Sequence, residues 1–139
     1  VTYSSFQDSN IDIATMSTSE WDKQYNKTRV AGAYTQLYSG STYVQGAAAA
    51  YNSNRAITIA QIYLNPYHDI EASVYVPVTF ARRVKVIAHE TGHAFCLGHS
   101  NGYAPIVTAS LMYEDPTAYD INNYGLQAHD YSDLAAKYG

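Results

Sequence analysis

The sequence predicts an α+β domain, and three observations carry that expectation. A proline-led stretch from Pro77 to Phe95 repeats apolar residues at helical spacing. Two stretches, Asn10 to Thr15 and Ile57 to Leu64, have strand character, and a short helical pattern from Ser132 to Tyr138 closes the chain. The 139 residues suit one domain, 1–139, large enough to bury roughly two-thirds of the unfolded surface. No internal repeat, low-complexity run or linker divides them.

Taken in order, Val1 to Phe6 and Asn10 to Thr15 read as strands joined by a turn at Gln7-Asp8-Ser9, the second alternating Ile11 and Ile13 with Asp12 and Ala14. Ser17 to Tyr38 supports two readings. Ser17 and Glu20 have the spacing of a capping box, and Trp21, Tyr25, Val30, Tyr34 and Leu37 recur at loosely helical intervals. Gly32 and the many β-branched and aromatic residues favour a long, partly ordered loop instead. Tyr43 to Tyr51 contains the small-residue run Gly46-Ala47-Ala48-Ala49-Ala50 and precedes a turn at Asn52-Ser53-Asn54. The next strand sets Ile57, Ile59 and Gln61 on one face and Thr58, Ala60 and Ile62 on the other, and Asn65-Pro66 ends it. Proline is tolerated in a first helical turn, so the long helix starts near Pro77, with Val84, Ile87, Ala88, Thr91 and Phe95 as its expected core stripe.

Composition removes several function classes. Eight Lys and Arg against twelve Asp and Glu, with no basic run longer than Arg82-Arg83, argue against a nucleic-acid partner. No apolar stretch approaches the roughly 18 to 20 residues of a membrane span, and the segment at Val1 lacks the pattern of a signal peptide. One cysteine, Cys96, excludes an internal disulfide framework, so the fold rests on packing and on any bound metal. Fifteen tyrosines beside so few cations are the surface chemistry expected of a secreted or cell-surface bacterial protein, here read as a monomer.

The chemistry concentrates at His89-Glu90-Thr91-Gly92-His93. On a helix, residues 89 and 93 lie one turn apart and point to one side, so two imidazoles can grip one ion. His99 is too far along a continuing helix to join them, but a chain reversal over Cys96 to Gly98 would return it. Three nitrogens leave one tetrahedral position open, as in catalytic rather than structural zinc. Zinc lowers the pKa of its water from about 15.7 towards 7, and Glu90, beside a ligand, can act as the general base. With five His and four Glu in the chain, His-Glu-x-x-His arises by chance with odds of roughly 0.5%, and about 0.02% with a third His at a fixed offset, so ordinary helix histidines are the weaker explanation.

This pattern resembles the metzincin zinc peptidases, and Ser100 after the third His resembles their matrixin branch. Ser110-Leu111-Met112-Tyr113 is similar to the matrixin Met-turn, which implies that Met112 lies beneath the histidines. Asn10-Ile11-Asp12-Ile13 resembles the third matrixin strand, and Asp130-Tyr131 through Lys137-Tyr138-Gly139 their closing helix. The resemblance implies a twisted mixed β-sheet, an active-site helix, an irregular Met-turn segment and a C-terminal helix. It also implies one catalytic zinc ion on His89, His93 and His99, and a protein or peptide substrate hydrolysed with Glu90 as base. By order, Tyr43 to Tyr51 would be the edge strand to which an extended substrate adds, with Ala48 in contact, and Pro116 to Tyr119 a pocket wall contributed by Pro116 and Tyr119.

The chain departs from the family pattern in three places. Cys96 stands where glycine is usual, so either Cys96 accepts a left-handed conformation at a cost of order 1 kcal/mol or Gly98 supplies the reversal. Only His68 precedes His89, which argues against a second, structural zinc; calcium at Asp69 and Glu71 is not assigned, because a solvated acidic pair accounts for them equally well. The family's first strand and helix would come before a segment like Val1 to Thr15, so the expectation is either that Ser17 to Tyr38 replaces that helix or, as preferred, that the sequence begins inside the domain and Ser17 to Tyr38 is the long loop between strands three and four. His129 beside Asp130 reads as an exposed cap of the last helix. Two other functions compete with an endopeptidase: an inactive zinc-binding module that recognises peptides, which loss of Glu90 would favour, and a structural zinc domain with Cys96 as fourth ligand.

Overall fold

A computed structural model describes residues 10–25, 32–44, 56–67, 80–100, 110–113 and 125–139, with the backbone alone for 80–82. Within them the chain is α+β, with a four-stranded mixed sheet and three helices. The strands are β1 (Ile11–Thr15), β2 (Ala33–Ser39), β3 (Thr42–Val44) and β4 (Ile59–Leu64); the helices are α1 (Thr18–Tyr25), α2 (Phe80–Ala94) and α3 (Ala128–Tyr138). The expected strand at Val1 to Phe6 lies outside the described residues.

The sheet runs β1-β4-β2-β3. β1 is parallel to β4, with Ile13 opposite Ile62, while β2 is antiparallel to β4, with Thr35 also opposite Ile62, and to β3. This register puts Ala33, Thr35 and Leu37 on one face with Ala60 and Ile62, and Tyr34, Gln36 and Tyr38 on the other, because successive side chains alternate. Ala60 and Ile62 are buried and Ile59 and Gln61 only partly so, which identifies the inward face of β4.

α1 and α2 lie on opposite faces. Ser17 and Glu20 make the capping box that starts α1, the Glu20 amide donating to Ser17 Oγ and the Ser17 amide to Glu20 Oε2. Trp21 and Tyr25 then stack against Tyr34 on the outer face, and Gln36 Nε2 donates to the Tyr25 hydroxyl. On the inner face Leu37, Val44, Ala60, Ala94 and Cys96 form a buried cluster, flanked by Ile11 and Ile57. The sheet therefore acts as the floor of α2, and α2 carries the histidines.

Three expectations need correction. Ser17 to Tyr38 is not a long loop: its described parts hold α1 and β2, the helical spacing of Trp21 and Tyr25 ending before Gly32 and the β-branched and aromatic residues beyond it forming a strand. Of Tyr43 to Tyr51, the expected edge strand, Tyr43 and Val44 fall in β3 at the edge of the sheet, and 45–51 lie outside the described residues. The expected stripe of α2 is rotated, since Phe95 is 47% exposed while Lys85, His89, Glu90 and Ala94 are buried. Apolar periodicity missed this because the buried face is largely polar. The last helix starts at Ala128, and Asp130 is buried rather than part of an exposed cap.

Candidate metal centre

His89 and His93 leave the same side of α2, and His99 is returned by the turn that ends the helix. The Cys96 amide donates to the His93 carbonyl (2.8 Å) and the Leu97 amide to the Gly92 carbonyl (3.0 Å), the two bonds of a Schellman motif. Its left-handed position is Cys96 itself, at φ 64°; Gly98 does not take that conformation. The strain is held because the Cys96 side chain is fully buried in the cluster under the sheet and Leu97 is buried beside it. Burial of these two side chains offsets the order of 1 kcal/mol that a left-handed Cys costs.

The three rings converge. Their centroids lie 4.7 Å (His89–His93), 4.7 Å (His93–His99) and 5.2 Å (His89–His99) apart, and ligand atoms from all three fall within 4.8 Å of one another. His93 Nε2 and His99 Nε2 are 3.0 Å apart. Two nitrogens each 2.0 to 2.1 Å from a tetrahedral ion stand about 3.3 Å apart, so the His93–His99 pair fits zinc with a few tenths of an ångström of adjustment and His89 stands near enough to join them. His89 Nδ1 donates to the Leu111 carbonyl (2.9 Å) and His93 Nδ1 to the Leu97 carbonyl (2.7 Å). Those bonds fix the tautomers and leave each Nε2 lone pair for a metal. Burial, reinforced by the neighbouring imidazoles, lowers the pKa of His89 and of His93 to about 4, so both rings are neutral ligands at ordinary pH.

The floor is built from the segment after the third histidine. Met112, 2% exposed, lies under Gly92, where an added Cβ would overlap the Met112 sulfur. Gly92 is thus required by packing beneath the helix. The Ser100 amide donates to the Met112 carbonyl (3.0 Å), joining the chain after His99 to this floor. Asp130 on α3, 1% exposed, accepts from Ser110 Oγ (2.5 Å), the Leu111 amide (2.9 Å) and the Gln127 amide (2.8 Å). Leu111 therefore receives His89 through its carbonyl while Asp130 holds it through its amide.

Glu90 is buried against the sheet, and the Thr35 hydroxyl of β2 lies 2.6 Å from its Oε2 and 3.0 Å from its backbone carbonyl. Burial raises its carboxyl pKa above the ordinary value, and the Thr35 hydrogen bond opposes that shift. The arrangement unites His89, Glu90, His93, His99 and Met112, whereas Ala48, Pro116 and Tyr119, like His68, Asp69 and Glu71, lie outside the described residues. Cys96 is not in the ligand set, because its side chain belongs to the apolar cluster.

Sequence reasoning missed two residues. Asp130 had a usable signal, since Gln127 and Asp130 have capping-box spacing and both reciprocal bonds form. Thr35 had none beyond strand character, because its partner lies 55 positions away.

No protein-family model matches the chain, and no characterised protein or solved structure matches it significantly.

Proposed function

We propose that the chain is a zinc-dependent endopeptidase of metzincin, matrixin-like architecture, cleaving proteins or peptides outside the cell as a monomer. The observation that carries this reading is the convergence of three imidazoles beside a buried carboxylate, with no fourth side-chain ligand among the described residues. A three-ligand set leaves a coordination position for substrate chemistry, and a structural zinc site would close it. Cys96, the cheapest candidate for a fourth ligand, is engaged in the core. No helix of the described residues is long and apolar enough to cross a membrane.

When bound, zinc supplies a Lewis acid and a water acidified towards neutral pH. The protein's own groups do the rest. His89 and His93 present Nε2 with their Nδ1 protons committed to carbonyls, so neither ring can rotate without losing a hydrogen bond. Glu90 takes a proton from the attacking water as the C–O bond forms and delivers it to the amine nitrogen as the C–N bond breaks. Its burial suits that work, because a carboxylate with raised pKa is the stronger base.

The test is cleavage of a mixed peptide library by the zinc-loaded protein and by Glu90→Ala. The wild type is expected to cut, and loss of the base to lower the rate by about 10² to 10⁴. A wild type that binds zinc and cuts nothing favours the peptide-recognition module, and equal cutting by Glu90→Ala removes the role of Glu90.

A further inference from the structure

We propose that Thr35 is the positioning residue of Glu90, its hydroxyl holding one carboxylate oxygen so that the other faces the attacking water. The inference rests on the endopeptidase reading and adds a residue to it. A threonine hydroxyl has one proton to give, and both acceptors in reach belong to Glu90: Oε2 at 2.6 Å and the main-chain carbonyl at 3.0 Å. The carboxylate is nearer and charged, which makes it the stronger acceptor. The Thr35 bond is the side-chain hydrogen bond that acts on the Glu90 carboxyl, opposing the effect of its burial. Glu90 has a long side chain, and a base displaced from its line of attack loses much of its value.

Strand register makes the arrangement specific. β2 lies between β4 and β3, with Thr35 opposite Ile62 and Leu37 opposite Val44, so Thr35 cannot slip along the sheet without taking Leu37 out of the core. A shift of one residue would bring Tyr34 or Gln36 to the helix and turn the hydroxyl to the far face. The sheet floor thereby fixes the base, as the carbonyls of Leu111 and Leu97 fix two of the metal ligands.

The test uses the zinc-loaded full chain as wild type, Thr35→Val, Thr35→Ser, Glu90→Ala and the double variant Thr35→Val/Glu90→Ala. kcat and KM are measured on a peptide the wild type cuts, and crystal structures of wild type and Thr35→Val are compared. Removing a hydrogen bond to a charged group is expected to lower kcat by roughly 10- to 100-fold while KM stays within about threefold. Thr35→Ser should recover most of that loss, and the double variant should be no slower than Glu90→Ala. In the crystal, the Glu90 carboxylate should leave its wild-type place while α2 stays put. The proposal is overturned by an unchanged kcat in Thr35→Val, by Thr35→Ser as slow as Thr35→Val, by further loss on the Glu90→Ala background, or by an unmoved carboxylate. Should the wild type cut nothing, the endopeptidase reading falls, and the crystal comparison alone decides whether Thr35 holds Glu90.

Discussion

The two sides of α2 hold their functional residues by different means. On the sheet side, Glu90 meets a regular strand, and one hydroxyl from Thr35 engages it. On the loop side, His89 and His93 meet irregular chain: the Leu97 carbonyl from the turn ending the helix, and the Leu111 carbonyl from a segment clamped by Asp130. Irregular backbone suits ligand orientation because its carbonyls are not consumed by a helix or sheet ladder. A strand has no main-chain groups to spare for the helix above it, so the base must be held by a side chain. The two sides should therefore fail differently, one by losing metal and the other by losing rate.

The largest effect is expected from Asp130→Ala. It strands three donors, two of them main-chain amides, and such losses cost about 1 to 3 kcal/mol per buried group. Denaturant unfolding should show a loss of several kcal/mol, and zinc affinity should fall by about 10- to 100-fold as the support of His89 loosens. Loss of stability with zinc affinity intact would break the link from Asp130 through Leu111 to His89.

The pH dependence of the metal-free protein separates the sides by sign. His89 and His93 have folded pKa values of about 4 against the ordinary 6.5, so between these limits the unfolded chain binds more protons and stability falls as pH drops. Glu90 is shifted the other way, above 4.5, so its contribution is present below that pH and is lost as pH rises through its folded value. Urea unfolding across pH 4 to 8 should show both limbs, and Glu90→Gln should remove only the one along which stability falls as pH rises. An unchanged profile in Glu90→Gln would contradict the burial assigned to that carboxyl.

The smallest effect tests the turn. Cys96→Ala keeps the left-handed strain and loses the sulfur, whereas Cys96→Gly removes the strain as well as the side chain. The glycine variant should be the more stable of the two by about 1 kcal/mol. The reverse order would mean that the strain at Cys96 is negligible.

The loop side was the more legible in sequence. The His-Glu-x-x-His spacing, the displaced His99 and Met112 are local patterns, and α2 brings the first two histidines together by its own periodicity. The sheet side was not legible, because Thr35 reaches Glu90 only through strand order, and local pattern could not show that β2 lies between β4 and β3. The stripe of α2 misled for a related reason. Its buried face carries Lys85, His89 and Glu90, so apolar residues did not mark the inward side.

The central claim is an open site of three histidines, and the X-ray absorption spectrum of the zinc-loaded protein tests it most directly. The spectrum should show one four-coordinate zinc with three imidazole nitrogens and one oxygen at about 2.0 to 2.1 Å. A sulfur shell near about 2.3 Å would bring Cys96 into the site and close it, contradicting the account, as would a protein that holds no zinc.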